Sequence, residues 1–128
     1  MVKGHWGTEP LSFGVFDQIE NDGRPISDIY EEHLKLMEYA DEVGFYCYHV
    51  SEHHGTPLSL SISPNIILSA AAQRTQRIRL AALVYCLPYY EPYRLANEIN
   101  MLDHLTGGRI EVGVGRGISP IEAAFFGI

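Results

Sequence analysis

Short apolar runs alternate along the chain with longer stretches whose apolar positions recur every three or four residues. Leu11–Phe16, Phe45–Val50, Leu80–Cys86 and Arg109–Gly115 are compact runs rich in aliphatic, aromatic and small residues, the pattern of buried strands. Between the first two, Ile29, His33, Leu36, Met37, Ala40 and Val43 define a helical face. Ser27 or Asp28 is its expected N-cap and Gly44 its stop. Pro64 opens a second helix with Ser63 as cap and Ile67, Leu68, Ala71 and Ala72 as its apolar stripe. Leu95, Ile99, Leu102 and Leu105 mark a third, halted by Gly107 and Gly108, and Pro120–Phe126 begins a fourth. Asn21-Asp22-Gly23-Arg24-Pro25 and the polar Glu52–Ser63 stretch read as loops. The order is β-α-β-α-β-α-β-α, with about 30 residues per unit, which predicts a parallel sheet with right-handed crossovers. Periodicity leaves two architectures open: a doubly wound sheet, or half of a (β/α)₈ barrel, whose complete form needs roughly 250 residues.

The composition is that of an ordinary globular protein, with 46% hydrophobic and 20% charged residues among 128. Sixteen acids against nine Lys and Arg give a net charge of -7, which argues against a nucleic-acid partner because no basic stripe can neutralise phosphates. No apolar run is long enough to span a membrane. The leading Met1–Pro10, carrying His5, Trp6 and Glu9, lacks the apolar centre of a secretory signal. Cys47 and Cys86 have no CxxC spacing and lie in apolar runs, so they read as reduced core thiols of a cytoplasmic protein.

In parallel α/β proteins the C-terminal ends of the strands form the active-site mouth. Here those ends carry Ser51-Glu52-His53-His54-Gly55, then Tyr85-Cys86 with Tyr89, Tyr90 and Tyr93 beyond, then Gly113-Val114-Gly115-Arg116-Gly117. Imidazole exchanges protons near neutral pH, so His53 is a candidate acid–base group, with Glu52 as the residue to fix its tautomer. Neighbouring histidines on an extended chain point to opposite sides, and neither HExxH nor HxH spacing occurs around them, so no metal is expected there. The glycine-rich segment does not match the dinucleotide fingerprint: its third glycine comes one residue early and it follows the fourth strand. It still permits close approach of a ligand, and Arg116 can fork onto a phosphate. The alternative is a tight turn with a surface arginine. The tyrosines either line a pocket or pack the loop. His33 reads as a structural histidine on an apolar helix face, and Asp103 as a brace for Arg109 or the Thr106–Gly108 turn.

Four segments carry a resemblance: Asp41-Glu42-Val43-Gly44-Phe45; Ser51-Glu52-His53-His54; Leu102-Asp103-His104-Leu105-Thr106-Gly107-Gly108-Arg109; and Glu111-Val112-Gly113-Val114-Gly115-Arg116-Gly117. In order and interval they are similar to the bacterial luciferase-like flavin-dependent monooxygenases. The terminal Phe126-Gly127 is similar to the aromatic-Gly pair that follows this region in the family. The resemblance implies a (β/α)₈ TIM barrel, of which residues 1–128 are the N-terminal half with the first four βα units. It implies a monooxygenase in which reduced FMN and oxygen form a C4a-peroxyflavin that oxidises an aldehyde or another small organic substrate. It further implies a separate flavin reductase, and a homodimer or a C-terminal half as partner. Within the family the alternatives are hydride transfer with a deazaflavin, or a non-catalytic flavin-binding or partner-stabilising role. Carried across, His53 is the catalytic histidine, with Glu52 beside it. Leu83, Val84, Gly115 and Arg116 touch the cofactor, with a non-proline cis peptide expected at Leu83–Val84. His54, Tyr85 and Tyr89 line the substrate pocket. Gly115 departs from the family pattern, because the light-emitting luciferases carry a reactive cysteine there.

Overall fold

The structure, a computed structural model, describes residues 10–128; the expectations on His5, Trp6 and Glu9 fall outside that range. Strands β1 (Gly14–Asp17), β2 (Cys47–Val50), β3 (Arg79–Cys86) and β4 (Ile110–Gly115) form one parallel sheet in the order β1-β2-β3-β4. Helices α1 (Ile26–Val43), α2 (Pro64–Ala72) and α3 (Pro92–Thr106) connect them, and a short α4 (Pro120–Phe125) follows. Strands adjacent in sequence are adjacent in space, as in a barrel; a doubly wound sheet would reverse direction at the first strand.

The core lies between the sheet and α1–α3. Tyr48, Val50, Leu80 and Ile110 from the strands meet Ile29, Met37, Leu68 and Leu102 from the helices, each buried. Burial supplies the driving force, at roughly 25 cal/mol per Å² of apolar surface. Ile19, just past β1, adopts φ 46° and places its fully buried side chain in this core. A left-handed conformation is costly for a β-branched residue, and the packing offsets it. On α1 the buried face is Ile29, Leu34, Met37, Ala40 and Asp41, while the expected Leu36 and Val43 are largely exposed. The helix starts after Pro25, ahead of the expected Ser27 or Asp28 cap. Ser63 does hold the cap position of α2, although its hydroxyl makes no cap bond. Helix α3 ends where Gly107 turns into the left-handed region at φ 68°, which a glycine adopts without steric cost. Gly108 N–H then donates to the Asp103 carbonyl at 2.9 Å. Asp103 therefore braces the turn through its backbone.

Three polar hubs tie the helix side of the sheet together. Buried Asp41 accepts from the backbone N–H groups of Gln76, Arg77 and Ile78 at 2.8, 2.9 and 2.6 Å. Burial alone would raise its pKa, but these bonds hold it below 3.8. Arg109 donates to the carbonyls of Ala72, Thr75, Ile78 and Thr106 and to the Thr75 hydroxyl, which replaces the expected Asp103 contact. Asp17 joins His33 at 2.6 Å and Tyr48 at 2.5 Å, so His33 is a satisfied structural histidine as its helical position implied.

Candidate active site

The opposite face of the sheet looks into what would be the barrel interior. Its geometry turns on β3. Ala82 pairs with Val112 and the next pair is Tyr85 with Val114, so β3 spends one more residue than β4 over this interval. This β-bulge holds Leu83 and Val84, and the peptide between them is cis, where the resemblance placed it. The extra residue resets the alternation of faces. Leu80 and Ala82 face the helices, and so does Tyr85, whereas strict alternation would send Tyr85 inward. Tyr85 is buried against Ala82 and Leu95, and its hydroxyl donates to Asn65 Oδ1 at 2.6 Å. The expectation that Tyr85 lines a substrate pocket is thus corrected.

Leu83 and Val84 instead form part of a cavity of about 310 Å³ at the C-terminal ends of the strands. Phe16 closes it from β1, Ser51 to His53 from β2, and Gly115 to Ser119 from β4, with Glu122 of α4 above. Glycine is required in β4 by close approach: a Cβ on Gly115 would sit 2.6 Å from Val84 Cγ2, and one on Gly113 the same distance from the Ala82 carbonyl oxygen. The cysteine expected in light-emitting relatives does not fit beside this Val84. Ser51 Oγ is buried and, among the described residues, has no hydrogen-bond partner. Arg116 is exposed at the cavity rim, and no described residue forms an ion pair with it.

The two neighbouring histidines diverge. His53 Nδ1 lies 3.0 Å from Oε1 of buried Glu122. An ionised carboxylate only accepts, so this contact puts the proton on Nδ1 and leaves Nε2 as a lone-pair acceptor. His54 Nε2 instead lies 2.8 Å from Glu52 Oε1. Glu52 Oε2 accepts from the Cys86 N–H at 3.0 Å and the Tyr90 hydroxyl at 2.8 Å. The expected Glu52–His53 pair is therefore corrected. Glu52 is enclosed, with three partners that tie the ends of β2 and β3 together, and Glu122 orients His53. Burial, reinforced by Glu52 and then Glu122, pushes the Cys86 thiol up to about 11, so it stays protonated.

His54 and Tyr89 also lie apart from the cavity lining. Tyr89 stacks on Phe126 with centroids 4.4 Å apart, and His54 packs edge-on to both rings. This cluster secures the loop after β3 to α4. Glu122 escaped the sequence reading. Its one local signal, Ser119-x-x-Glu122, is the start of a capping box: Ser119 Oγ accepts the Glu122 N–H at 3.2 Å. The spacing announces a helix start and says nothing of a histidine 69 residues earlier.

A family profile described as luciferase-like monooxygenase matches residues 11–128. The chain belongs to this family. An uncharacterized protein of Sinorhizobium fredii is 50% identical over 118 residues, covering 92% of this chain and 34% of that protein. The 4-hydroxyprotoasukamycin monooxygenase of Streptomyces nodosus subsp. asukaensis is 39% identical over 127 residues, covering 94% and 33%. Among solved structures, the oxygenating constituent of 3,6-diketocamphane monooxygenase from Pseudomonas putida, in complex with FMN, superimposes with a TM-score of 0.87 at 28% identity. It aligns with 91% of this chain, which covers 33% of that one. The fold is thus that of the luciferase-like barrels, and the chain spans about a third of the length of the relatives it matches. No helix among the described residues is long and apolar enough to cross a membrane.

Proposed function

We propose that the chain supplies the N-terminal part of a flavin-dependent monooxygenase, which uses reduced FMN and oxygen to oxidise an aldehyde or another small apolar substrate. The observation that carries this reading is one cavity combining an unpartnered buried Ser51 hydroxyl, an apolar Leu83–Val84 bulge and the side chains of His53 and Arg116. These residues fit a planar, partly polar cofactor with an anionic tail. The bulge offers an apolar platform, Ser51 a hydrogen bond, and Arg116 a bidentate fork for a phosphate. Reduced flavin, when bound, supplies the activation of oxygen. His53 would hold or take a proton at Nε2, with the tautomer fixed by Glu122. Phe16, Leu83 and Val84 would present apolar surface to the bound cofactor. The relative described as an oxygenating constituent supports a separate reductase as the source of reduced flavin.

The test uses the gene product at its natural length with photoreduced FMN. Oxygen uptake coupled to oxygenation of an aliphatic aldehyde or cyclic ketone is expected. Hydride transfer with reduced deazaflavin, without oxygen uptake, would overturn the proposal.

A further inference from the structure

A second cluster lies on the inner face of the sheet, toward the N-terminal ends of the strands and away from the cavity. Cys47 and His49 alternate onto the same face of β2. Glu111 reaches them from β4, two strands away. His49, Ala81 and Glu111 occupy one row across the sheet, paired strand to strand. Two strand spacings amount to roughly 10 Å, and only a small residue on the middle strand lets side chains meet over it. Ala81 is that residue. As a result the candidate ligand atoms of Cys47, His49 and Glu111 all lie within 4.8 Å of one another.

The partners of these groups leave one free donor atom on each. His49 Nδ1 lies 3.1 Å from the Val15 carbonyl oxygen, an acceptor, so Nδ1 carries the proton and Nε2 keeps its lone pair. The Tyr46 hydroxyl and Arg79 Nε both donate to Glu111 Oε1, each at 2.7 Å, and leave Oε2 available. Cys47 is wholly buried and unoxidised. Histidine ligands held by a backbone carbonyl and carboxylate ligands held by further donors are the usual outer support of a metal site.

We propose that Cys47, His49 and Glu111 bind a borderline-soft divalent cation of the zinc class, through one sulfur, one nitrogen and one oxygen. A fourth position stays open to water. Binding replaces the S–H bond of Cys47 with a metal–sulfur bond and releases that proton to solvent, with no change of oxidation state. Before binding, the Glu111 and Arg79 charges cancel. Afterwards the two metal charges face one thiolate and one carboxylate, with Arg79 still bonded to the oxygen that does not coordinate. The cation would tie β2 to β4 across β3.

Spacing along the chain conceals the site, because two ligands form a short Cys-x-His on one strand and the third lies 62 residues after His49 in sequence. The proposal is independent of the flavin reading.

Cobalt(II) is the probe, since thiolate ligation gives an intense sulfur-to-cobalt charge-transfer band and tetrahedral ligation gives strong visible bands. The purified protein is refolded from urea with cobalt(II) under reducing conditions and titrated. The expected result is both band sets, saturating at one cobalt per chain, lost in urea and displaced by zinc. Cys47→Ser removes the charge-transfer band, Cys86→Ser retains it, and His49→Ala or Glu111→Gln weakens binding at least about tenfold. Circular dichroism confirms that each variant is folded. The absence of a saturable band in the unsubstituted protein overturns the proposal. So does a band that survives Cys47→Ser or disappears with Cys86→Ser.

Discussion

The two faces of the sheet are built from the same strands and follow opposite rules. On the helix side the buried charged groups are spoken for. Asp41 takes three backbone N–H groups, Arg109 five oxygens, and Asp17 both His33 and Tyr48. On the inner side Ser51 Oγ lacks a partner, Phe16 and Leu83 are about half exposed, and Arg116 projects at the rim. A satisfied network has little left for a ligand, whereas an unsatisfied face is costly until something binds it. Stability should therefore respond chiefly to the first face and activity to the second.

The largest expected effect tests that division on the inner face. In the gene product at natural length, His53→Ala should lower oxygenation about 10²–10⁴-fold, the usual contribution of a proton-transfer residue. Flavin affinity should change little, while the urea midpoint should fall because buried Glu122 loses its partner. Glu122→Gln should lower the rate less than His53→Ala does, because it alters the group holding Nδ1 but leaves the imidazole in place. Arg116→Ala should act the other way and weaken flavin binding while sparing the rate at saturating flavin. Stopped-flow rates with flavin titrations separate these outcomes. Equal, small effects at His53 and Arg116 would remove the functional half of the comparison.

The next effect belongs to the helix side. Asp41→Ala leaves three backbone donors near Ile78 without their acceptor, and should destabilise the fold by about 3 kcal/mol. Urea unfolding is the measurement. Asp41 and Asp17 both have folded pKa values below 3.8: in each, burial raises the value and hydrogen bonds more than offset it. Their stabilisation is complete above the unfolded value and is lost as pH falls through the depressed folded values. Unfolding free energy should therefore be level near neutrality and fall in acid below about pH 4. Asp41→Asn should flatten that acid limb, since it no longer binds a proton on unfolding.

What the chain made legible follows the same division. The succession of strands and helices and the stops at Gly44 and Gly107 depend on local periodicity and on glycine, and both survive folding unchanged, whereas the spatial order of the strands followed from the resemblance and not from periodicity. His53, Leu83, Val84, Gly115 and Arg116 do line the cavity, because each lies at or just beyond a strand's C-terminal end. Tyr85 was misplaced because a single bulge residue reverses the face of everything after it, and alternation cannot register an insertion that exists only relative to a partner strand. That Glu122, and not the expected Glu52, orients His53 has a related reason. Proximity in sequence favoured Glu52, but adjacent residues on an extended segment diverge, and the carboxylate that reaches His53 arrives from a helix that folds back over the cavity.

A smaller effect tests the junction between the two faces. Gly115→Cys restores the residue expected of light-emitting relatives but drives Cβ to 2.6 Å from Val84 Cγ2. Relief requires Val84 to move within the bulge, at a cost of about 1–3 kcal/mol. Pairing the substitution with Val84→Ala removes the contacted methyl and should recover most of the loss. A double-mutant cycle by urea unfolding measures the coupling. Additive behaviour would mean that Val84 does not set the glycine requirement.

The smallest effect asks whether the aromatic cluster belongs to the cavity or to the scaffold. The ring stacked on Phe126, 6° from parallel, is Tyr89, and it lies beside Gly117, where an added Cβ would stand 3.0 Å from its hydroxyl. Tyr89→Leu keeps an apolar side chain but gives up the stacking, worth about 0.5–1.5 kcal/mol beyond burial. A scaffold role predicts a loss of about 1 kcal/mol in unfolding free energy, with flavin affinity and the Michaelis constant for the organic substrate both within about twofold of the parent. A pocket role predicts unaltered stability and a raised Michaelis constant, because a ligand contact has no partner to lose when the protein unfolds. The geometry favours the first outcome: Phe126 already occupies one face of the Tyr89 ring, and His54, which packs edge-on to it, is itself held by Glu52.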